Sequence, residues 1–131
     1  MPKSIRFLSL EQVLQLHKTS LDQFGGIAGI RDQKLLEGAL AMPMAQFGGE
    51  FLHPSPAEMA AAYLYHIAMS HAFLDGNKRT ACFAAVVFLD ANGIEHDITP
   101  QELETVTLQV ACGQMDKQTL AEQFQLWLKR R

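Results

Sequence analysis

Two segments, 57–70 (AEMAAAYLYHIAMS) and 79–91 (RTACFAAVVFLDA), are rich in alanine and apolar around nearly the whole helical circumference. A helix of that kind has to be enclosed on most sides. The rest of the chain must therefore supply the enclosure, and four amphipathic segments do. A helix predicted over 9–24 carries Leu10, Val13, Leu14, Leu21 and Phe24 on one stripe, and a shorter one over 32–42 carries Leu35, Leu36, Ala39 and Leu40. Two later helices repeat the pattern, first with Leu103, Val106 and Val110, then with Leu120, Phe124, Trp127 and Leu128. No alternating strand pattern of useful length competes, and Val86-Val87-Phe88 lies inside a helical run. The expected fold class is all-α: a compact bundle of about six helices around a buried central pair. At 131 residues the chain reads as one domain, 1–131. The one long irregular joint, 43–54 (PMAQFGGEFLHP), has room for a small hairpin or flap.

Local signals punctuate these helices. Ser9 before Gln12, Ser55 before Glu58, Thr99 before Glu102 and Thr119 before Glu122 each have the spacing of a capping box. Pro56 and Pro100 fall at the first helical position, where a missing N–H costs nothing. Gly25-Gly26, Met42-Pro43, Asn92-Gly93 and Gly113 read as stops.

Several function classes are excluded early. Eleven Lys and Arg against fourteen Asp and Glu give a net charge of −3, a poor balance for holding nucleic acid without sequence preference. No helix carries a basic, base-reading face, so a DNA-binding helix-turn-helix has little support. Two cysteines, Cys82 and Cys112, make no disulfide framework and no zinc motif, and both are expected as buried, reduced thiols. No run of ~18 uncharged apolar residues is present and the first residues lack a signal-peptide pattern, so a cytoplasmic protein is expected.

The polar density of the loop between the two apolar helices is out of place. His71-Ala72-Phe73-Leu74-Asp75-Gly76-Asn77-Lys78-Arg79 sets five ionisable or amide side chains at the centre of the most apolar third of the chain. Local consistency breaks most often where function is located. Gly76 can take a positive φ, which lets neighbouring N–H groups face one concavity. The next helix starts close by, so its open N–H groups and dipole face the same spot. Lys78 and Arg79 add two positive charges suited to polyphosphate. Asp75 would be repelled there unless a cation intervenes, and Mg2+ held by one carboxylate and phosphate oxygens resolves the conflict. A neutral imidazole at His71 can take the proton of an attacking hydroxyl.

This nonapeptide, HAFLDGNKR, resembles the active-site motif of the Fic/Doc superfamily, and is closest to the Doc (death-on-curing toxin) branch, written H-x-F-x-[DN]-[AG]-N-K-R. The resemblance continues in Phe24-Gly25-Gly26, Gly29-Ile30-Arg31-Asp32, Leu35-Leu36-Glu37, Ala39-Leu40 and Pro43, in residues 60–66, and in Phe88-Leu89 with Asn92-Gly93. It implies the all-α Fic/Doc bundle and a site in which His71 is the general base, Asp75 the Mg2+ ligand, and Gly76, Asn77, Lys78 and Arg79 the phosphate binders, with Phe73 anchoring the loop. Fic enzymes proper have glycine at the position of Lys78 and transfer AMP. Doc-type members have lysine and act as ATP-dependent protein kinases. The implied activity is phosphorylation of a threonine of elongation factor Tu, halting translation. The alternatives are AMP transfer to a protein hydroxyl and a binding domain without turnover. The implied partner is a Phd-like antitoxin whose tail folds into a hydrophobic groove. The self-inhibitory [ST]-x-x-x-E-[GN] signature of some Fic enzymes fails, since Gln33 precedes Glu37-Gly38.

Two residues depart from the usual pattern: Ala72 stands for a common Pro and Ser70 for a common Asn. Both bear on how rigidly His71 is held. Elsewhere, His66 is expected as a hydrogen-bonded core histidine, Tyr63 and Tyr65 as packing residues, and Asp32 as an N-cap. Arg31 is either structural or within reach of the site. His17 and His96 have no partner visible in sequence. Segment 43–54 is either a flap presenting the target or an ordinary loop. Lys129-Arg130-Arg131 suits a helix C-terminus and is otherwise a solvated tail.

Overall fold

The computed structural model describes residues 4–130 and contains six helices and one minimal hairpin. The helices are α1 (Leu10–Phe24), α2 (Gln33–Ala41), α3 (Pro56–Ser70), α4 (Asn77–Ala91), α5 (Pro100–Ala111) and α6 (Lys117–Lys129). The hairpin pairs β1 (Gln46–Phe47) with β2 (Glu50–Phe51), placing Gln46 opposite Phe51 and Phe47 opposite Glu50. The all-α expectation holds, and the 43–54 joint does contain a hairpin. Met1, Pro2, Lys3 and Arg131 lie outside the described residues.

The two alanine-rich segments are α3 and α4, and they pack on each other. α3 also packs on α6, α2 and α5, while α4 lies against α1 and α5. Runs of small residues (Ala60, Ala61, Ala62 on α3; Ala81, Ala84, Ala85 on α4) are fully buried and let these helices approach closely. Large side chains close the remaining space: Tyr63, Leu64, Phe88, Leu89, Phe124 and Leu120 are all wholly buried. Each such burial contributes about 1.5–3 kcal/mol. An aromatic chain, Phe7–Phe88–Tyr63, pins the segment before α1 onto this core. The Tyr63 hydroxyl accepts the Leu8 N–H at 2.8 Å.

Four local expectations are corrected. On α1 the buried face consists of Val13, His17 and Ser20, while Phe24 is exposed. On α2, Leu35 likewise faces outward. Helix α6 is capped by Asp116, whose carboxylate accepts the Thr119 N–H at 2.8 Å, so Thr119 lies within the helix and forms no capping box. Cys112 is exposed and Cys82 only half-buried, because Cys112 follows the last turn of α5 and Cys82 borders a cleft. The capping boxes at Ser9 and Thr99 are complete, and Ser55 caps α3. His96 has partners after all: it bonds Asp90 at 3.2 Å and accepts the Ile98 N–H. Arg130 is no free tail, since it pairs with Asp97 at 2.7 Å and with Glu102 at 2.6 Å.

Candidate active site

The α3–α4 connection is held in a shape that its own residues do not prefer. His71 ends α3 in the left-handed region (φ 50°, ψ 37°), the one non-glycine with positive φ among the described residues. That conformation costs roughly 1–2 kcal/mol for an L-residue. Three contacts hold it. The Arg31 guanidinium donates from Nε to the His71 carbonyl at 2.7 Å, and the N–H groups of Arg31 and Asp32 both reach the Ala72 carbonyl, at 2.7 and 3.0 Å. Ser70 donates to the Ile67 carbonyl and accepts the Ala72 N–H. The serine thus ties the end of α3 to the start of the loop. Arg31 is a positioning residue for His71.

Further along, the loop is stitched to the segment before α2. Ile30 bridges Phe73, and Leu74 N–H reaches the Gly29 carbonyl at 3.1 Å. Phe73 is buried in the core and lies flat on His17, with ring centroids 3.8 Å apart and planes 9° from parallel. His17 Nε2–H donates to the Asp75 carbonyl at 2.8 Å. Asn77 closes the loop on itself: its side chain accepts the Phe73 N–H and donates to the Phe73 carbonyl, each at 3.0 Å. The Asn77 amide therefore shapes the loop rather than standing free in the cleft. His17 had no partner visible in sequence, and Arg31 was left open there as structural or within reach of the site, because each meets the loop across a long stretch of chain; the fold places Arg31 on the His71 carbonyl.

Asp75 is fixed by two backbone donors. Ile27 N–H reaches Oδ2 at 3.0 Å and Gly76 N–H reaches Oδ1 at 2.8 Å. These bonds hold its carboxyl below the usual carboxylate range. Gly26 leaves the space that makes this possible: a Cβ there would lie 2.8 Å from Oδ2. Gly76 has φ +80° and starts α4, and no side chain caps this helix among the described residues. Each of the other five helices has a side-chain cap. The first-turn N–H groups of α4 therefore stay open, with the dipole behind them. Arg79 is steadied by the Gly25 carbonyl at 3.2 Å and lies 5.2 Å from the Phe24 ring centroid. The Lys78 ammonium and the His71 imidazole are exposed and have no hydrogen-bond partner among the described residues.

His71, Asp75, Gly76, Asn77, Lys78 and Arg79 all line one cleft of about 850 Å3. Its other arm is apolar and runs between α4 and α5, past Phe83, Val86, Ile98 and Leu103. Cys82 donates to the Thr107 hydroxyl there at 3.1 Å, and burial pushes its thiol pKa up.

With the site laid out, comparison with known proteins identifies its family. The Fic/DOC family profile matches residues 7–89, a span that includes the whole loop. The chain belongs to the Fic/Doc family. Over 103 residues it is 38% identical to a protein named Toxin Doc from Mycolicibacterium smegmatis (strain ATCC 700084 / mc(2)155), covering 77% of this chain and 79% of that one. Over 118 residues it is 31% identical to Protein kinase doc of Escherichia phage P1, covering 90% and 92%. The two Doc relatives bear out the resemblance to the Doc branch drawn from HAFLDGNKR.

The donor set suits Mg2+. Among the described residues no three His, Cys, Asp or Glu side chains gather as a closed metal centre would require. Mg2+ needs no such centre when phosphate oxygens and water complete its shell. Asp75 offers a hard, ionised carboxylate whose oxygens each accept only one bond within the chain. No helix is long and apolar enough to cross a membrane among the described residues.

Proposed function

We propose that this Fic/Doc chain is a Doc-type toxin, a protein kinase that transfers the γ-phosphate of ATP to a serine or threonine hydroxyl of a translation factor. Elongation factor Tu is the expected target by resemblance, and the cytoplasm the expected place of action. The observation that carries the reading is Lys78: an unpaired ammonium at the uncapped start of α4, in the motif position where AMP-transferring Fic enzymes have glycine. The names of the two relatives support the same branch.

The residues divide the work as follows. His71 accepts the proton of the target hydroxyl as its oxygen bonds to the γ-phosphorus. The bond from that phosphorus to the ADP oxygen breaks, and ADP leaves with the electron pair. Lys78, Arg79 and the backbone N–H groups of Asn77 and its neighbours neutralise the phosphate oxygens throughout. Asp75 would hold Mg2+, which supplies charge neutralisation between phosphates. Phe73 anchors the loop in the core, and Gly76 gives the turn that opens the helix start. The apolar arm of the cleft suits the folded tail of a Phd-like antitoxin, which would cover the site.

The test uses ATP labelled at the γ or the α phosphorus, with the purified chain and elongation factor Tu. Label from γ-labelled ATP on the target, lost in His71→Ala, is the expected result. Label from α-labelled ATP alone would overturn it in favour of AMP transfer. Absence of either label on any translation factor would leave a binding domain without turnover.

A further inference from the structure

Away from the cleft, three nitrogen bases meet at one point. They are His53, between β2 and α3, His66 on α3, and Lys117 at the start of α6. The Lys117 ammonium lies 3.1 Å from His53 Nε2 and 3.1 Å from His66 Nε2. An ammonium only donates, so both Nε2 atoms present lone pairs and both rings are neutral with the proton on Nδ1. Two imidazole lone pairs thus converge on a position already held by a cation. Nothing in the phosphoryl-transfer chemistry uses this cluster.

The cation in that position is poorly kept. Lys117 is the first residue of α6, where the helix dipole opposes positive charge. No carboxylate forms an ion pair with it among the described residues. Burial lowers its pKa. It is only half-buried, and its flexible stem can carry the ammonium out to water. The imidazoles are the fixed partners. His53 is buried and His66 is built into α3 with Tyr65 against its ring edge. Burial first, and then Lys117 and His53, hold the His66 pKa down to about 4, so its lone pair is unprotonated at neutral pH. Burial and Lys117 lower that of His53 as well.

We propose that His53 and His66 form a two-imidazole site for a divalent transition metal such as Zn2+, which takes the place of the Lys117 ammonium. Imidazole nitrogen selects Zn2+, Cu2+ or Ni2+ over the hard, oxygen-seeking Mg2+, so this site and Asp75 take different ions. Two protein ligands leave the other coordination positions to water on the half-exposed Lys117 side. A bound ion would tie the segment that follows the hairpin to α3 and free the first turn of α6.

The test is calorimetric titration of the tag-free chain with zinc chloride, without nucleotide, so its outcome is independent of the kinase reading. One ion per chain is expected in the wild type and in His71→Ala. His53→Ala and His66→Ala should each weaken binding at least about tenfold, since even an outer-shell partner is worth that much. Lys117→Met should tighten it. His66→Gln, checked for native circular dichroism, should lose the zinc-induced rise in Tm seen in the wild type, separating ligand loss from misfolding. The proposal is overturned if the wild type takes up no zinc, if uptake survives both histidine substitutions, or if it disappears in His71→Ala, which would place the ion in the cleft.

Discussion

Gly26 decides where the Asp75 carboxylate can lie. A methyl group at Gly26 would sit 2.8 Å from Oδ2, closer than real contacts allow, and its φ of +128° disfavours any side chain. Gly26→Ala is therefore expected to keep its helices but to displace the carboxylate. A displacement of about 1 Å at a reacting centre can cost about 10²-fold in rate. The check is γ-phosphate transfer measured beside far-ultraviolet circular dichroism, and transfer at the wild-type rate would refute the assignment of Asp75. Arg31→Ala removes one hydrogen bond to the His71 carbonyl. Its expected effect is about a tenfold fall in kcat, with KM for ATP unchanged. A change confined to KM would mean that Arg31 acts on nucleotide and not on His71. The motif residues at this scale were legible because they are consecutive and chemically unlike their surroundings. Gly26 and His17 were not legible in that way, and Arg31 was legible only as an open alternative. Each acts on a loop distant in sequence, and periodicity shows that a face is buried without showing what it packs against.

At the scale of elements, helix ends were the most readable features, since a cap is decided within four residues. Thr99 caps α5 in a complete box with Glu102. Thr99→Ala should cost about 1 kcal/mol in urea unfolding, within the usual range for a lost N-cap. The start of α6 was misplaced by the same local logic: Asp116 and Thr119 both qualify as caps, and the carboxylate takes the position. Phe24 was assigned to a buried stripe by spacing, yet it stands at the rim of the cleft against Arg79. Its period was right and its neighbour unforeseen. Tyr63 shows the reverse: packing was expected and is present, but its hydroxyl also carries the Leu8 N–H. That buried site holds the phenol pKa up at about 12. Tyr63→Phe keeps the ring and orphans the donor, an expected loss of about 1–3 kcal/mol. Equal stability of the two forms would show that the segment before α1 finds another acceptor.

Across the whole molecule, Arg130 joins the end of α6 to the start of α5 through Asp97 and Glu102. The guanidinium first, and then the Thr99 N–H, hold the Glu102 pKa down to about 2 from an ordinary 4.5. Between those values the unfolded chain binds a proton that the folded chain does not, so stability falls as pH drops through this window. Above 4.5 the contribution is fully present. Arg130→Gln should flatten the dependence of Tm on pH across that window, and high salt should do part of the same, since the pair is exposed to solvent. An unchanged slope in Arg130→Gln would assign the acid sensitivity elsewhere.

The central place of α3 has a consequence for the order in which the protein comes into being. A chain emerging from the ribosome displays His71 and the entire loop up to Arg79 while α6 is still unmade. α3, which ends at His71, has its α6-facing side bare until synthesis passes Lys129. The motif residues are born early and their scaffold late. For the translation-directed kinase proposed above, that delay would separate the making of the chain from its action on the machinery that makes it.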